Sequence, residues 1–346
     1  MLVVLIGDLM RVSLFKKTSL RTQSIRYQNM ILIAFVAFLD RAYRIVRYND
    51  IRSLVSLEKS ASKKELIEFD AGLSKSLLSV GTSIYKSICE PVFFNMDKVP
   101  KSGPLLFVSN HSILALELPL LVDRIAEEKG IFLRALADHA HFQLPTGRFL
   151  RTMFGVVDGT QENCKLLFEH NQGVLVYPGG ARETFKRTTD EKYSLKWNGR
   201  SGFAKLAIEN GVTIVPISNV GTEDMLEIGY DFPLSWIPIP FLYGSDRTFP
   251  LVMPPKIGKL QRIYFMFHEP IETKHYNGIA SDANVREVRD LTKKCVEDGI
   301  AQLREYQKTD RSRLTIDKFS RETQKRLKAL VDWIDNVIST DHHGKL

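Results

Sequence analysis

A histidine and a carboxylate six positions apart, His111 and Glu117, stand in the stretch Asn110–Leu118, which reads Asn-His-Ser-Ile-Leu-Ala-Leu-Glu-Leu. Histidine is the usual side chain for taking a proton near neutral pH. A carboxylate beside it can fix its tautomer and stabilise its charged form. The apolar run Pro104–Val108 just before this stretch reads as a buried strand. His111 then falls at the carboxyl end of a strand, where an α/β sheet opens to its ligands. Six is not a same-face spacing on a helix, where neighbours are three or four apart. For the two side chains to meet, His111 must lie on the loop and Glu117 at the start of the next helix, predicted over Leu118–Lys129. A polar loop residue followed by an ordinary helix-start glutamate would fit the same letters.

A second polar cluster follows another buried strand, Val174–Tyr177, and reads Pro178-Gly-Gly-Ala-Arg-Glu183. Two glycines after a strand let backbone approach a ligand closely, and successive amides can form an anion nest. Arg182 adds a forked cation suited to phosphate. A plain strand-to-loop turn is the competing reading of the same residues. Asp138-His139-Ala-His141 follows a strand predicted over Phe132–Ala137. With no further ligand cluster in view it reads as a pocket wall and not as a metal site.

The chain that must position these groups has 346 residues, 44% of them apolar and 25% charged, which is ordinary globular material able to bury a large core. A formal charge of +8 suits nucleic acid, an anionic membrane surface or phosphate-bearing substrates. No zinc-finger, helicase or RNA-binding motif favours the first, so no nucleic-acid partner is expected. Cys89, Cys164 and Cys295 lie far apart and read as thiols in a reducing compartment. The sequence has no Walker loop, no Gly-x-Gly-x-x-Gly and no Gly-x-Ser-x-Gly nucleophile elbow.

Further elements follow from pattern. Residues 51–95 read as helical, Val99–Pro104 as a turn, Trp197–Asn210 as a helix with Gly211 as its cap, and Val212–Pro216 and Ile263–Phe267 as strands. Strand, helix, strand in this order predicts an α/β sheet. Met30–Leu39 is ten apolar residues, too few to span a bilayer, with Arg41, Arg44 and Arg47 behind it. It reads as an interfacial anchor or a buried helix, and the basic, acid-poor start also resembles an organelle presequence. Pro233–Pro255 holds six prolines among Leu234, Trp236, Ile237, Phe241 and Tyr243, which fits an interfacial membrane contact or a buried irregular loop. Arg321–Ile338 reads as an amphipathic tail helix.

Four segments taken in order are Asn110-His111…Glu117, Tyr177–Glu183, Lys196-Trp197…Gly202–Ala207 and Ile214–Pro216. Together they resemble the glycerolipid (lysophospholipid-type) acyltransferase superfamily over roughly 100–273, with the monoacylglycerol/diacylglycerol acyltransferase-like branch, which includes plant phytyl ester synthases, as the nearest match. The superfamily pattern places four residues between histidine and aspartate. Here five intervene and the acid is Glu117, as that branch also tolerates. Phosphate-acceptor members carry Pro-Glu-Gly-Thr-Arg at the second motif. Here Gly179 takes the place of the acid and Ala181 that of the threonine, while Arg182 remains, which tilts the acceptor toward a neutral lipid. Phytyl ester synthases also resemble fusions with a hydrolase-like region, of which no counterpart is expected within these 346 residues.

The resemblance implies an α/β fold: a mixed β-sheet flanked by helices, with an N-terminal helical membrane-contact region over 1–95, an acyltransferase domain over 96–300 and a C-terminal helical tail over 301–346. It implies O-acyl transfer from acyl-CoA, a co-substrate, to the hydroxyl of diacylglycerol, monoacylglycerol or a long-chain alcohol, with no cofactor and no metal. His111 and Glu117 would be catalytic. Asn110, Pro178, Gly179, Gly180, Arg182 and Glu183 would bind substrate, with Gly179, Gly180 and Arg182 lining the site and holding either acceptor oxygens or a CoA phosphate. The alternatives are a lysophosphatidic acid acyltransferase and a non-catalytic lipid-binding scaffold. Monotopic membrane attachment is expected, at endoplasmic reticulum or plastid membranes in a eukaryote and at the inner membrane's cytoplasmic face in a bacterium. The oligomeric state is left open.

Overall fold

Short, mostly apolar runs of two to eight residues, bounded by turns, become the strands of one central sheet. A computed structural model describes residues 63–315 apart from 68, 70, 143–149, 152–153, 234–247 and 254–259. The strands are β1 (Val92–Phe94), β2 (Leu105–Ser109), β3 (Arg134–Ala137), β4 (Val157–Asp158), β5 (Val174–Val176), β6 (Thr213–Val220), β7 (Glu227–Pro233), β8 (Thr248–Met253) and β9 (Tyr264–Phe267). Seven of them form a sheet in the order β1-β9-β6-β2-β5-β3-β4. β2 pairs parallel with β5 on one side and with β6 on the other, and β3 and β4 continue in the same sense. β9 runs antiparallel to β6, and β1 follows β9, so the sheet is mixed.

Alternation along the strands sends side chains to two faces. Leu106, Val108, Val174 and Ile214 pack on one face with α3 (Gln161–Glu169), α4 (Gly202–Asn210) and α5 (Asp282–Thr309). Leu105, Phe107, Leu175 and Val215 pack on the other with α1 (Ala71–Cys89) and α2 (Leu118–Lys129). Helices therefore cover both faces, as the hydrophobic runs of a buried, mostly parallel sheet require.

Several boundaries differ from expectation. The helix expected through residue 95 stops at Cys89, and Val92–Phe94 is an edge strand of the sheet. The boundary expected at 95 therefore falls after a strand of the central sheet. The one at 300 falls inside α5, whose Val285, Val288, Val296, Ile300 and Leu303 are buried against the sheet. β6 does not stop at Pro216 but runs on to Val220. Proline normally ends a central strand because it cannot donate to the ladder. Here the missing N–H falls between the Ile217–Phe267 pair and the Ile214–Ile271 bridge, and only the Pro216 carbonyl is used, by the His268 amide. Within the proline-rich stretch, Pro233 and Thr248–Met253 are not loop. They belong to the arms of a two-stranded antiparallel hairpin, β7–β8, in which Pro250 pairs with Asp231. Proline is tolerated there because a two-stranded ribbon has an open edge on each arm. Leu234–Tyr243, Met30–Leu39 and Arg321–Ile338 lie outside the described residues.

Candidate active site

Parallel pairing of β2 and β5, with Val108 beside Val176, sets the residues just past both strands side by side at the carboxyl edge of the sheet. One of these segments carries His111 and the other Tyr177–Glu183. His111 Nδ1 lies 2.7 Å from Glu117 Oε1. The chain closes that six-residue gap with a short 3-10 turn in which Leu114 and Ala115 both take left-handed backbone, φ 58° each. Two adjacent non-glycine residues in this region are strained, and such strain collects where surrounding structure holds a functional loop. Glu117 then begins α2, fully buried, where the helix N-terminus favours a negative charge. Its second oxygen accepts from the Ser112 hydroxyl.

With Glu117 accepting from Nδ1–H, the neutral imidazole keeps its lone pair on Nε2. Nε2 has no hydrogen-bond partner among the described residues. The His111 side chain is 13% exposed and Glu117 is 0% exposed, so the pair opens to solvent through the histidine. The arrangement can take a proton from a bound hydroxyl and stabilise the resulting imidazolium.

The loop that carries His111 is fastened from two sides. Asn110 Oδ1 accepts from the Asn219 amide at 2.8 Å, Asn110 Nδ2 donates to the Asn219 carbonyl at 3.0 Å, and Asn219 Nδ2 donates to the Asn110 carbonyl at 2.7 Å. On the other side, the His111 amide donates to Glu183 Oε2 and the Lys196 amide to Glu183 Oε1, each at 2.8 Å. Burial raises the Glu183 carboxyl above its ordinary value, and these two amides and the Lys186 ammonium oppose that rise. Lys186 is itself buried and pairs with Glu223 at 2.7 Å.

Asn110 and Glu183, expected to touch substrate, are thus buried, 2% and 0% exposed, with their polar atoms committed to the protein. Pro178 and Gly179 are buried too, and their carbonyls accept from Arg200 Nη1 at 3.0 Å each. The Gly180 amide donates back to the Tyr177 carbonyl, so the expected anion nest is partly filled by the chain itself. Gly180 has φ 52° and ψ −140°, a conformation open to glycine alone. Arg182 is exposed, and its charge is felt at Arg200. Burial, and then the charge of Arg182, pull Arg200 below its ordinary value. His139 pairs with Asp158 at 2.6 Å. Among the described residues no three His, Cys, Asp or Glu side chains form a metal-holding group.

Sequence reasoning assigned no role to Ser112, Tyr177, Arg200 or Asn219. Tyr177 and Ser112 stood inside the quoted stretches, and Arg200 between the quoted residues of a third. Asn219 lay beyond the proline that was read as a strand end.

Residues 105–233 match the diacylglycerol acyltransferase family. Over these residues the chain is similar to the glycerolipid acyltransferase superfamily. Over 250 residues the chain is 30% identical to phytyl ester synthase 1, chloroplastic, of Arabidopsis thaliana, which covers 64% of this chain and 35% of that protein. Over 122 residues it is 32% identical to the Bos taurus "DGAT1/2-independent enzyme synthesizing storage lipids", covering 35% of this chain and 36% of that one. The chain thus spans well under half the length of either relative. A solved 1-acyl-sn-glycerophosphate acyltransferase from Thermotoga maritima aligns with 79% of this chain and 95% of its own, at 17% identity and a TM-score of 0.43.

Proposed function

We propose that this protein is an acyltransferase that moves a fatty acyl group from acyl-CoA to the hydroxyl of a neutral lipid: diacylglycerol, monoacylglycerol or a long-chain alcohol. The observation that carries this reading is the 2.7 Å His111–Glu117 contact inside a segment matched to diacylglycerol acyltransferases. His111 Nε2 takes the acceptor's hydroxyl proton as the oxygen attacks the thioester carbonyl carbon. The C–O bond forms, the C–S bond breaks, and the proton passes from Nε2 to the departing thiolate. The products are an ester and free CoA. Glu117 stabilises the transient imidazolium. No side chain is acylated, and the scheme uses no metal or cofactor.

Three features support a neutral acceptor. Position 179 carries no acid, position 181 carries no hydroxyl, and the relatives are named for phytyl esters and storage lipids. Arg182 and Arg200 are then cations for the phosphates of CoA. We place the protein on a membrane surface, where such substrates reside. Tyr230 and Leu251, paired across the β7–β8 hairpin, are 54% and 45% exposed, and the segment joining the arms is apolar in sequence. Among the described residues no helix is long and apolar enough to cross a membrane. Co-sedimentation with liposomes checks the placement, and a protein that stays in the supernatant contradicts it.

The function is tested with labelled acyl-CoA in liposomes against diacylglycerol, monoacylglycerol, a fatty alcohol and lysophosphatidic acid. Ester formed on the neutral acceptors is the expected result. Product on lysophosphatidic acid alone overturns the acceptor assignment. Binding of lipid with no product on any acceptor overturns the enzyme reading in favour of a scaffold.

A further inference from the structure

The imidazole of His111 is held by more than its carboxylate. The Tyr177 ring lies flat against it, with centroids 3.9 Å apart and planes 9° from parallel. Tyr177 is the residue immediately after β5, placed beside the His111 loop by the parallel β2–β5 register. It is 8% exposed and packs with the core on the α1–α2 face of the sheet, so its ring cannot swing away without opening that core. Its hydroxyl is buried next to the Glu117 carboxylate, without a hydrogen bond of full geometry to it. Burial, and then the nearby Glu117 carboxylate, push the phenol well above its ordinary value, so the ring stays neutral.

We propose that Tyr177 is a positioning residue that acts through His111 in two ways. This inference rests on His111 serving as the general base. First, the flat stack fixes the plane of the imidazole, so that Nδ1 faces Glu117 and Nε2 faces outward. Second, when Nε2 takes the acceptor's proton, the imidazolium forms directly on the electron-rich face of a buried ring, where a cation is attracted by the aromatic quadrupole. The neutral imidazole gains less from that face. Stabilisation that appears only as charge develops raises kcat and leaves KM unchanged.

The choice of variants separates the ring from the hydroxyl. Tyr177→Phe keeps the stacked face and removes only the hydroxyl beside the Glu117 carboxylate. Tyr177→Leu fills similar apolar space with no π face. The Leu variant is expected to lose on the order of 10- to 30-fold in kcat, the size of a desolvated cation–π contact, with both KM values nearly unchanged. The Phe variant is expected to stay within about threefold of wild type. A folded Leu variant at the wild-type rate overturns the proposal, as does a Phe variant impaired as deeply as Leu. A second readout needs neither turnover nor a stable Leu variant. In wild-type protein, the His111 ring-proton NMR signals should be displaced upfield by the stacked phenol, and the Phe variant should retain that displacement. Unshifted signals in wild type overturn the stack itself. A protein that shows the shift but transfers no acyl group keeps the stack and sinks the acyltransferase reading, so the two failures are told apart.

Discussion

The Glu183 carboxylate lies where a side chain on Gly179 would begin: a Cβ built at 179 would overlap the Glu183 carboxyl group. Position 179 is thus empty because an acid four residues later folds back across it to hold the His111 and Lys196 amides. The absence of an acid at 179 and the presence of one at 183 are a single structural feature.

Gly179→Ala should therefore displace Glu183, release the His111 amide and destabilise the protein by about 1–3 kcal/mol, the usual cost of overpacking. Glu183→Ala should be harmful alone, because it leaves two buried amides without acceptors. The double variant should be less damaged than the two single effects added together, since both act on one contact. Denaturant melts of the four proteins check this, and strict additivity would count against it.

The His111–Glu117 pair was legible as a candidate from its residue types and its place after a predicted strand, and the helix over Leu118–Lys129 was placed where it is observed. How the pair meets was not legible. The turn depends on left-handed backbone at Leu114 and Ala115, and neither is a residue type that signals it. The Asn110–Asn219 clasp was hidden because Pro216 reads as the end of a strand, whereas the ladder has a gap that accommodates it. α5 escaped notice because its buried positions form a narrow stripe among many charged residues. The Tyr177 stack comes from strand register, and the Arg200 cap on the Pro178 and Gly179 carbonyls from a turn ahead of α4, neither of which periodicity reports.

Lys186 and Glu223 form an ion pair whose side chains are 3% and 1% exposed, and Glu223 also accepts from the Tyr193 amide at 2.9 Å. Removing one partner strands the other charge in the interior. Glu223→Ala should cost about 3–5 kcal/mol, and replacing both residues by apolar ones of similar size should cost much less. Equal losses in the single and double variants would contradict this account of the pair.

His268 is packed against Gly299 of α5, and its Nε2 contacts Ser218 Oγ at 2.8 Å. Ser218 Oγ in turn donates to the Val296 carbonyl at 2.9 Å. Burial, and then the charge of Lys98, lower His268 from its ordinary value to about 4, while Asp298 opposes them. The unfolded chain therefore binds a proton at this residue before the native protein does. Both forms are neutral above about pH 6.5, so the group has no effect on stability there. As pH falls from about 6.5 toward 4, stability is lost with a slope approaching one proton, and the loss levels off below that. His268→Gln should flatten this part of the stability–pH curve. Identical slopes in melts of wild type and variant would show that His268 is not the group responsible.

The central claim is that His111 takes the acceptor's proton. Its most direct test is the single-turnover rate of ester formation from labelled acyl-CoA and diacylglycerol, wild type beside His111→Ala, with melting curves recorded on the same samples. The account predicts a fall on the order of 10²–10⁴ in rate with the melting curve little changed. A folded His111→Ala protein that forms ester at the wild-type rate would contradict it.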